Sequence, residues 1–299
     1  MDIDASIDDF LAAVLLEQGL SPNTGDAYGS DLRFFAAFLK RRGRNAVEAV
    51  SREDIVDFLK DEREDGLASA TRARRTVAIR MWLRYLKDRH LIRKNPSELM
   101  DPPKKERVLP RVLSEEEVTA LIESAKELDP RTLRDRAMLE VLYGCGLRVS
   151  ELCAFRLNDV VSDGELVRVL GKGSKERLVP MGGAAGRALT AYLASARDSF
   201  AHGNLAETHV FLTRLGKPFT RQGVFKVIRE RAGAVGISAD RISPHVLRHS
   251  FASHMLSHGA DIRVIQELLG HADIGTTQIY THVDTSNFSA LHRKYHPRG

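Results

Sequence analysis

SPHVLRHSFASHML, residues 243–256, reads as the start of a helix suited to meet an anion. Ser243 supplies an N-cap, and Pro244 is the first-turn proline that such starts favour. His245 and Arg248 stand three apart and so share one face near the helix N-terminus. Free backbone N–H groups and the helix dipole already favour negative charge at that end. A His beside an Arg there donates to phosphate oxygens and exchanges a proton near neutral pH. A His and an Arg in unrelated surface contacts produce the same string, so this stretch gains meaning only with the others.

Three further fragments stand beside it. GLRVSEL, 146–152, breaks at Gly146 and opens a helix at Arg148, with Glu151 three residues on and able to brace the guanidinium. A braced guanidinium suits bidentate phosphate contact. Leu166–Leu170 and Arg177–Pro180 read as two strands around the tight loop GKGSK, 171–175, which carries Lys172 at its tip. Gly-Lys-Gly alone is a weak signal and lacks the pattern of a nucleotide-binding loop. LLGHADIGTTQIYTHV, 268–283, ends a helix at Gly270, places His271 directly after it and leads to Tyr280. Taken alone, Tyr280 reads as a core or surface aromatic.

Metal chemistry finds little support. His245, His249, His254, His258 and His271 are available, but there is no H-E-x-x-H string and no cysteine pair at metal spacing. Cys145 and Cys153 read as reduced, chemically silent thiols of a cytosolic protein. No apolar run has the length of a membrane span, and the acidic start MDIDASIDDF lacks the pattern of a secretory signal.

The charge is unevenly spread. From Thr71 to Lys94 there are nine Lys and Arg against one acid, Asp88, so this stretch carries +8 in a chain whose total is +5. Its apolar residues Val77, Met81, Trp82, Tyr85 and Leu86 predict one packing stripe, with Arg74, Arg80, Arg84 and Lys87 largely off it. Such a helix presents a phosphate-binding face or an ordinary solvated one. Helical spacing also covers 23–42, through Tyr28, Leu32, Phe35, Phe38 and Leu39, preceded by Ser21-Pro22. Ser51 with Asp54 predicts a capped helix start. Then Asn95-Pro96, Pro102-Pro103, Lys104, Lys105, Arg107 and Pro110 form an extended, basic connection. A domain boundary falls there, near residue 107. Beyond it, Ser114 with three following glutamates starts a helix, and 134–143 reads as an amphipathic helix closed by Gly144.

In order and spacing, Arg148, Lys172, His245, Arg248, His271 and Tyr280 resemble the catalytic series of the tyrosine recombinases, the lambda-integrase-like family. The strings GLRVSEL, GKGSKERLVP, SPHVLRH and LLGH…TTQIYTHV carry the likeness, which is strongest to the bacterial Xer recombinases. HGADIRVIQ, 258–266, and KERLVPM look more like the XerD type than the XerC type. Cys145 stands where a residue such as Thr is expected, outside the catalytic set.

The resemblance implies a mainly α fold with a small β-sheet, as a two-domain C-shaped clamp. A helical core-DNA-binding domain would span 1–100, a basic Pro-rich linker 101–112, and an α+β catalytic domain 113–299 with a C-terminal interaction helix. It implies that Tyr280 attacks the scissile phosphate to leave a 3′-phosphotyrosyl link. Arg148 and Arg248 would clamp the phosphate, Lys172 protonate the leaving oxygen, and His245 and His271 assist, with Glu151 as a brace. No cofactor, metal or ATP is implied. Arg72, Arg74, Arg75, Arg80, Arg84, Lys104 and Lys105 would meet DNA. The expected partners are a double-stranded core site, a XerC-like recombinase in a two-plus-two heterotetramer, and a cell-division DNA translocase of FtsK type, in a cytoplasmic, nucleoid-associated setting without membrane. A phage, transposon or integron integrase with the same chemistry is the alternative. Phe288, Leu291 and Tyr295 form a narrow stripe on a terminal helix, which either packs at home or is donated to a neighbouring protomer.

Overall fold

In the computed structural model the described residues are 1–17, 22–98, 100, 112–126, 129–171, 176–204, 206–270 and 285–299. They form two compact units, Met1–Val108 and Leu109–Gly299. The linker lysines Lys104 and Lys105 lie outside the described residues. No helix among the described residues is long and apolar enough to cross a membrane.

The first unit is helical: α1 (Ile3–Glu17), α2 (Pro22–Arg41), α3 (Arg52–Glu64) and α4 (Ser69–Asp88). α2 starts at Pro22 and buries Leu32, Phe35, Phe38 and Leu39 of the stripe its spacing predicts, with Tyr28 half-buried. At the head of α3, Asp54 donates its N–H to Ser51 Oγ at 3.2 Å, and Asp54 Oδ2 accepts the Ser51 N–H at 3.0 Å. Two otherwise orphaned donors are thereby satisfied. The core gathers around fully buried Trp82, whose indole N–H donates to Ser6 Oγ at 3.2 Å. Phe35 meets Trp82 edge-on at 6.3 Å and Phe58 at 5.0 Å.

α4 is rotated from its expected phase. Ala78, Ile79, Trp82, Leu83 and Leu86 are buried, while Val77 is 40% exposed. The cause is Arg75. It lies on the same stripe as Ile79, Trp82 and Leu86, and is drawn inward to Asp31, at 3.2 Å, and to Glu62. Apolar residues surround this helix on more than one face, so buried acids on α2 and α3 decide which face turns in.

The second unit contains α5 (Glu115–Glu123), α6 (Pro130–Gly144), α7 (Val149–Ala154), β1 (Val160–Val161), β2 (Leu166–Leu170), β3 (Glu176–Pro180), α8 (Gly183–Ser195), α9 (Arg197–Ala201), α10 (Arg221–Ala234), α11 (Pro244–Ser257), α12 (Ile262–Leu269) and α13 (Thr285–Tyr295). The sheet is antiparallel in the order β1-β2-β3, with Leu166 opposite Pro180 and Leu170 opposite Glu176. The hairpin was legible; the short strand β1 was not. Ser114 caps α5 with Glu117 as expected.

α6 is a core helix rather than an amphipathic one. Its polar residues Arg134, Asp135 and Glu140 are buried with the apolar ones. Asp135 accepts from Arg134 at 2.8 Å and from Arg231 at 2.8 Å, and Glu140 pairs with Arg298 at 2.5 Å. Partners far along the chain neutralise charges that would otherwise hold one face in water.

α13 packs on its own unit. The buried residues of this terminal segment are Ser289, His292 and His296, whereas Leu291 and Tyr295 are only partly covered. His292 Nε2 donates to the Gly144 carbonyl at 2.7 Å, which anchors this end of the chain to α6. The docking face is therefore set by two histidines, one step round the helix from the Leu291–Tyr295 stripe. The side chain of Phe288 lies outside the described residues.

Candidate active site

Arg148 occupies the residue before α7, with extended backbone (φ −70°, ψ 149°). The Glu151 carboxylate reaches back to it twice: Oε2 accepts the Arg148 N–H at 2.7 Å, and Oε1 accepts Arg148 Nη1 at 2.9 Å. One carboxylate thus caps the helix and orients the guanidinium. Gly146 makes the preceding turn with φ +57°, and a Cβ there would lie 2.7 Å from the Phe251 ring. Only glycine meets both demands.

Arg248 comes from the second turn of α11, where Ser243 Oγ accepts the Val246 N–H at 3.2 Å. Its guanidinium is buried, with Nη1 donating to the Gly146 carbonyl at 2.8 Å and Nη2 to the Leu269 carbonyl at 2.5 Å. Glu151 Oε2 lies 3.8 Å from its Nη1. His245, one turn earlier, is exposed and has no hydrogen-bond partner among the described residues.

Arg177, which sequence reading passed over, completes the cluster. From β3 it donates Nη1 and Nη2 to the two Glu151 oxygens at 2.8 and 3.0 Å, and Nε to the Leu268 carbonyl at 2.9 Å. Arg148 Nη2 donates to the Gly270 carbonyl at 3.2 Å. Three arginines therefore cap three consecutive carbonyls, 268, 269 and 270, at the end of α12. Those carbonyls lack helical partners, and a helix C-terminus favours cations. Gly270 ends the helix in the left-handed conformation (φ 65°, ψ 53°), as predicted.

The electrostatics follow from burial. Glu151 is buried, which by itself raises a carboxyl, but the hydrogen bond and charge of Arg177, and then Arg148, hold it below the usual range. Arg248 is pushed down to about 10, first by burial and then by the positive charge of Arg148, against the pull of Glu151. Three guanidinium groups share one carboxylate, so the cluster keeps an excess of positive charge in a low-dielectric place. Arg148, with a side chain 34% exposed, is the member open to a ligand. Such a site takes an anion that accepts several hydrogen bonds, as a phosphodiester does.

Lys172, His271 and Tyr280 lie outside the described residues. In sequence they adjoin this cluster: Lys172 belongs to the β2–β3 connection, 171–175, which ends two residues before Arg177, and His271 follows Gly270. Among the described residues no group of three or more His, Cys, Asp or Glu could hold a metal ion.

The expected DNA-binding arginines of the first unit divide. Arg75 is buried in ion pairs with Asp31 and Glu62, so its guanidinium is not free for phosphate. Arg74 donates Nε and Nη2 to Asp31 at 2.7 and 3.0 Å. Arg72 donates to the Leu67 carbonyl at 2.5 Å and Arg80 to the Met100 carbonyl at 3.3 Å. Arg84 is exposed and has no hydrogen-bond or ion-pair partner among the described residues. Arg75 is thus corrected to an internal ion-pair residue.

The profile of the Phage integrase family matches residues 111–287, and that of the Phage integrase, N-terminal SAM-like domain matches residues 7–90. The tyrosine recombinase XerD of Proteus mirabilis is 43% identical over 298 residues, covering 100% of this chain and 95% of that protein. XerD of Pseudomonas aeruginosa is 45% identical, over 98% of this chain and 97% of that protein. The tyrosine recombinase XerC of Herpetosiphon aurantiacus reaches 45% over 93% and 90%. Among solved structures, a lambda integrase tetramer bound to a Holliday junction matches with TM-score 0.70 at 18% identity, over 93% of this chain and 81% of that one. The XerH recombinase bound to palindromic difH substrate in a post-cleavage complex gives 0.70 at 18%, over 91% and 76%. At that identity the two structures speak for the fold alone. The chain belongs to the phage integrase family of tyrosine recombinases, which cut and rejoin DNA, and within it to the Xer group, where it is most like the members named XerD.

Proposed function

We propose that the protein is a site-specific recombinase that breaks each DNA strand by attack of Tyr280, leaving a 3′-phosphotyrosyl link and a free 5′-hydroxyl. The observation that carries this reading is the Glu151-braced arginine cluster, which ends on the carbonyl preceding His271. Arg148 and Arg248 hold the non-bridging oxygens and stabilise the charge that builds in the transition state. Lys172, on the β2–β3 connection, donates the proton to the departing 5′-oxygen. His245 and His271 exchange or donate protons at the phosphate. Covalent attachment stores the phosphodiester bond energy, so rejoining needs no ATP, and the guanidinium charges do the electrostatic work that a metal ion does in other nucleases.

Full-length identity to proteins named XerD, and comparable identity to one named XerC, supports action at a chromosomal core site with a XerC-like partner, two copies of each. Resolution of chromosome dimers at cell division, in the cytoplasm on the nucleoid and under a DNA translocase of FtsK type, is the biological role that fits. The N-terminal domain is assigned to 1–100, the linker to 101–112 and the catalytic domain to 113–299. Arg72, Arg74, Arg80, Arg84, Lys104 and Lys105 are the proposed backbone contacts.

The test starts with selection of bound duplexes from a random library, followed by footprinting. A nicked duplex carrying the recovered core then traps the covalent intermediate. The parent is expected to form an adduct in EDTA, and Tyr280→Phe to bind equally well and form none. An adduct in Tyr280→Phe, or a strict Mg²⁺ requirement, would overturn the reading.

A further inference from the structure

We infer that Arg177 is a positioning residue for strand cleavage, holding Glu151 from one side and the end of α12 from the other. This rests on the recombinase reading above. Arg177 is on β3, opposite Val169, and shares the inward face of that strand with buried Val179. A strand alternates its faces with a period of two, so a basic residue on the inward face must find its partners inside.

Those partners form two links. The first is Glu151, which Arg177 engages through both terminal nitrogens while the same carboxylate orients Arg148. With Arg177 in place the carboxylate has one orientation that satisfies both guanidiniums, and the Arg148 Nη groups are aimed accordingly. The second link is the Leu268 carbonyl, next to the Leu269 and Gly270 carbonyls held by Arg248 and Arg148. Arg177 thus ties the arginine that faces the ligand to the backbone from which His271 and then Tyr280 continue. Close contact reinforces the tie: a Cβ on Gly270 would lie 3.1 Å from the Arg177 side chain. Arg177 itself has a side chain only 11% exposed, and each of its three nitrogens already donates to Glu151 or to the Leu268 carbonyl, so it acts through these neighbours and not on phosphate. An error of about 1 Å at a phosphoryl-transfer site costs on the order of 100-fold in rate, so a group that sets two such positions governs the rate strongly.

The experiment uses the full chain and the nicked duplex described above. Arg177→Lys keeps the charge beside Glu151 but cannot serve both carboxylate oxygens and the Leu268 carbonyl in a fixed plane. It is expected to form adduct at least about tenfold more slowly at saturating protein, with DNA affinity unchanged. Arg177→Met should be slowed by as much or more, and Glu151→Gln with Arg177→Met should be no slower than the worse single variant. Urea denaturation of each variant, run alongside, separates a slowed cleavage step from a weakened fold, since Arg148 and Arg248 also rely on the Glu151 carboxylate. Arg177→Lys cleaving at the parental rate, multiplicative losses in the double variant, or a loss of affinity with the rate unchanged would overturn the inference. If the parent forms no Tyr280-dependent adduct, the recombinase reading falls and this inference with it. A parental adduct with undiminished Arg177 variants brings down the inference alone.

Discussion

Gly270 and Arg177 are packed so closely that a Cβ at position 270 would stand 3.1 Å from Arg177 Cδ. The glycine also has φ +65°. Gly270→Ala therefore meets two penalties: a left-handed backbone, which costs an L-residue about 1–2 kcal/mol, and displacement of the Arg177 side chain. Urea denaturation should record a loss of that size, and adduct formation should slow. An unchanged denaturation midpoint would contradict the tight fit of Arg177 against this helix end.

Glu151 is the only carboxylate among the described residues within 4.0 Å of Arg148, Arg177 and Arg248 alike. Glu151→Gln leaves three guanidiniums without their counter-charge and turns an amide N–H group towards them. Removing one partner of a buried ion pair costs about 3 kcal/mol or more. The wild-type carboxyl is held below its usual range by Arg177 and Arg148 against the effect of burial. Its stabilising contribution is thus complete above the ordinary carboxylate pKa, near 4.3, and is lost as pH falls through the lower folded value. Denaturant unfolding of the parent and Glu151→Gln at pH 7 and pH 4 should show the gap between them narrow in acid. A gap that widens would contradict the assigned ion pairs.

Much of this was legible in the chain, and the misses share a cause. The capped starts at Ser51, Ser114 and Ser243 and the left-handed stop at Gly270 are local matters, decided by residues within four positions, and they form as read. Glu151 as a brace was also local, three residues from Arg148. Arg177 was missed because its partners lie on α7 and α12, far from β3 in sequence; its one local signal was a basic residue on the inward face of a strand. The same distance misled the reading of α6, whose charges are neutralised by Arg231 and Arg298, and the phase of α4, which Asp31 and Glu62 determine. Periodicity treats every charge as a mark of solvent, and a paired buried charge breaks that rule.

In the first unit, Arg75 and Arg84 should separate stability from DNA affinity. Arg75 is enclosed between Asp31 and Glu62, so Arg75→Met strands the buried Glu62, leaves Asp31 with Arg74 alone, and should cost about 3 kcal/mol in urea denaturation. Arg84→Ala, at an exposed position, should leave the midpoint within about 0.5 kcal/mol. Its DNA affinity should fall alike for all sequences, with the salt slope reduced by about one. A salt slope unchanged in Arg84→Ala would remove that residue from the DNA-binding face.

Three buried histidines make the second unit sensitive to mild acid. His254 donates Nε2–H to the Leu113 carbonyl at 2.9 Å and accepts the Tyr143 hydroxyl at Nδ1, 2.8 Å, which satisfies the neutral ring. His292 and His296 stack at 4.6 Å, and His292 Nδ1 and His296 Nε2 have no hydrogen-bond partner among the described residues. Burial holds all three below the ordinary histidine value, opposed at His254 by Glu115 and reinforced at His296 by the proximity of His292, His254 and Arg298, which disfavour a further positive charge. In the unfolded chain these rings take up protons below about pH 6.5, while the folded ones take them up only at lower pH. Stability is therefore undiminished above pH 6.5 and declines below it, by at most about 1.4 kcal/mol per pH unit for each ring. Denaturant unfolding at pH 7.5 and 5.5 should show this loss, and His296→Phe, which keeps an aromatic ring in the stack, should lose less over the same interval. Hydrogen exchange in residues 285–299 should quicken first, because both stacked rings belong to the segment that ties α13 to α6. Stability that held or rose between pH 7.5 and 5.5 would mean the rings are already charged in the folded chain.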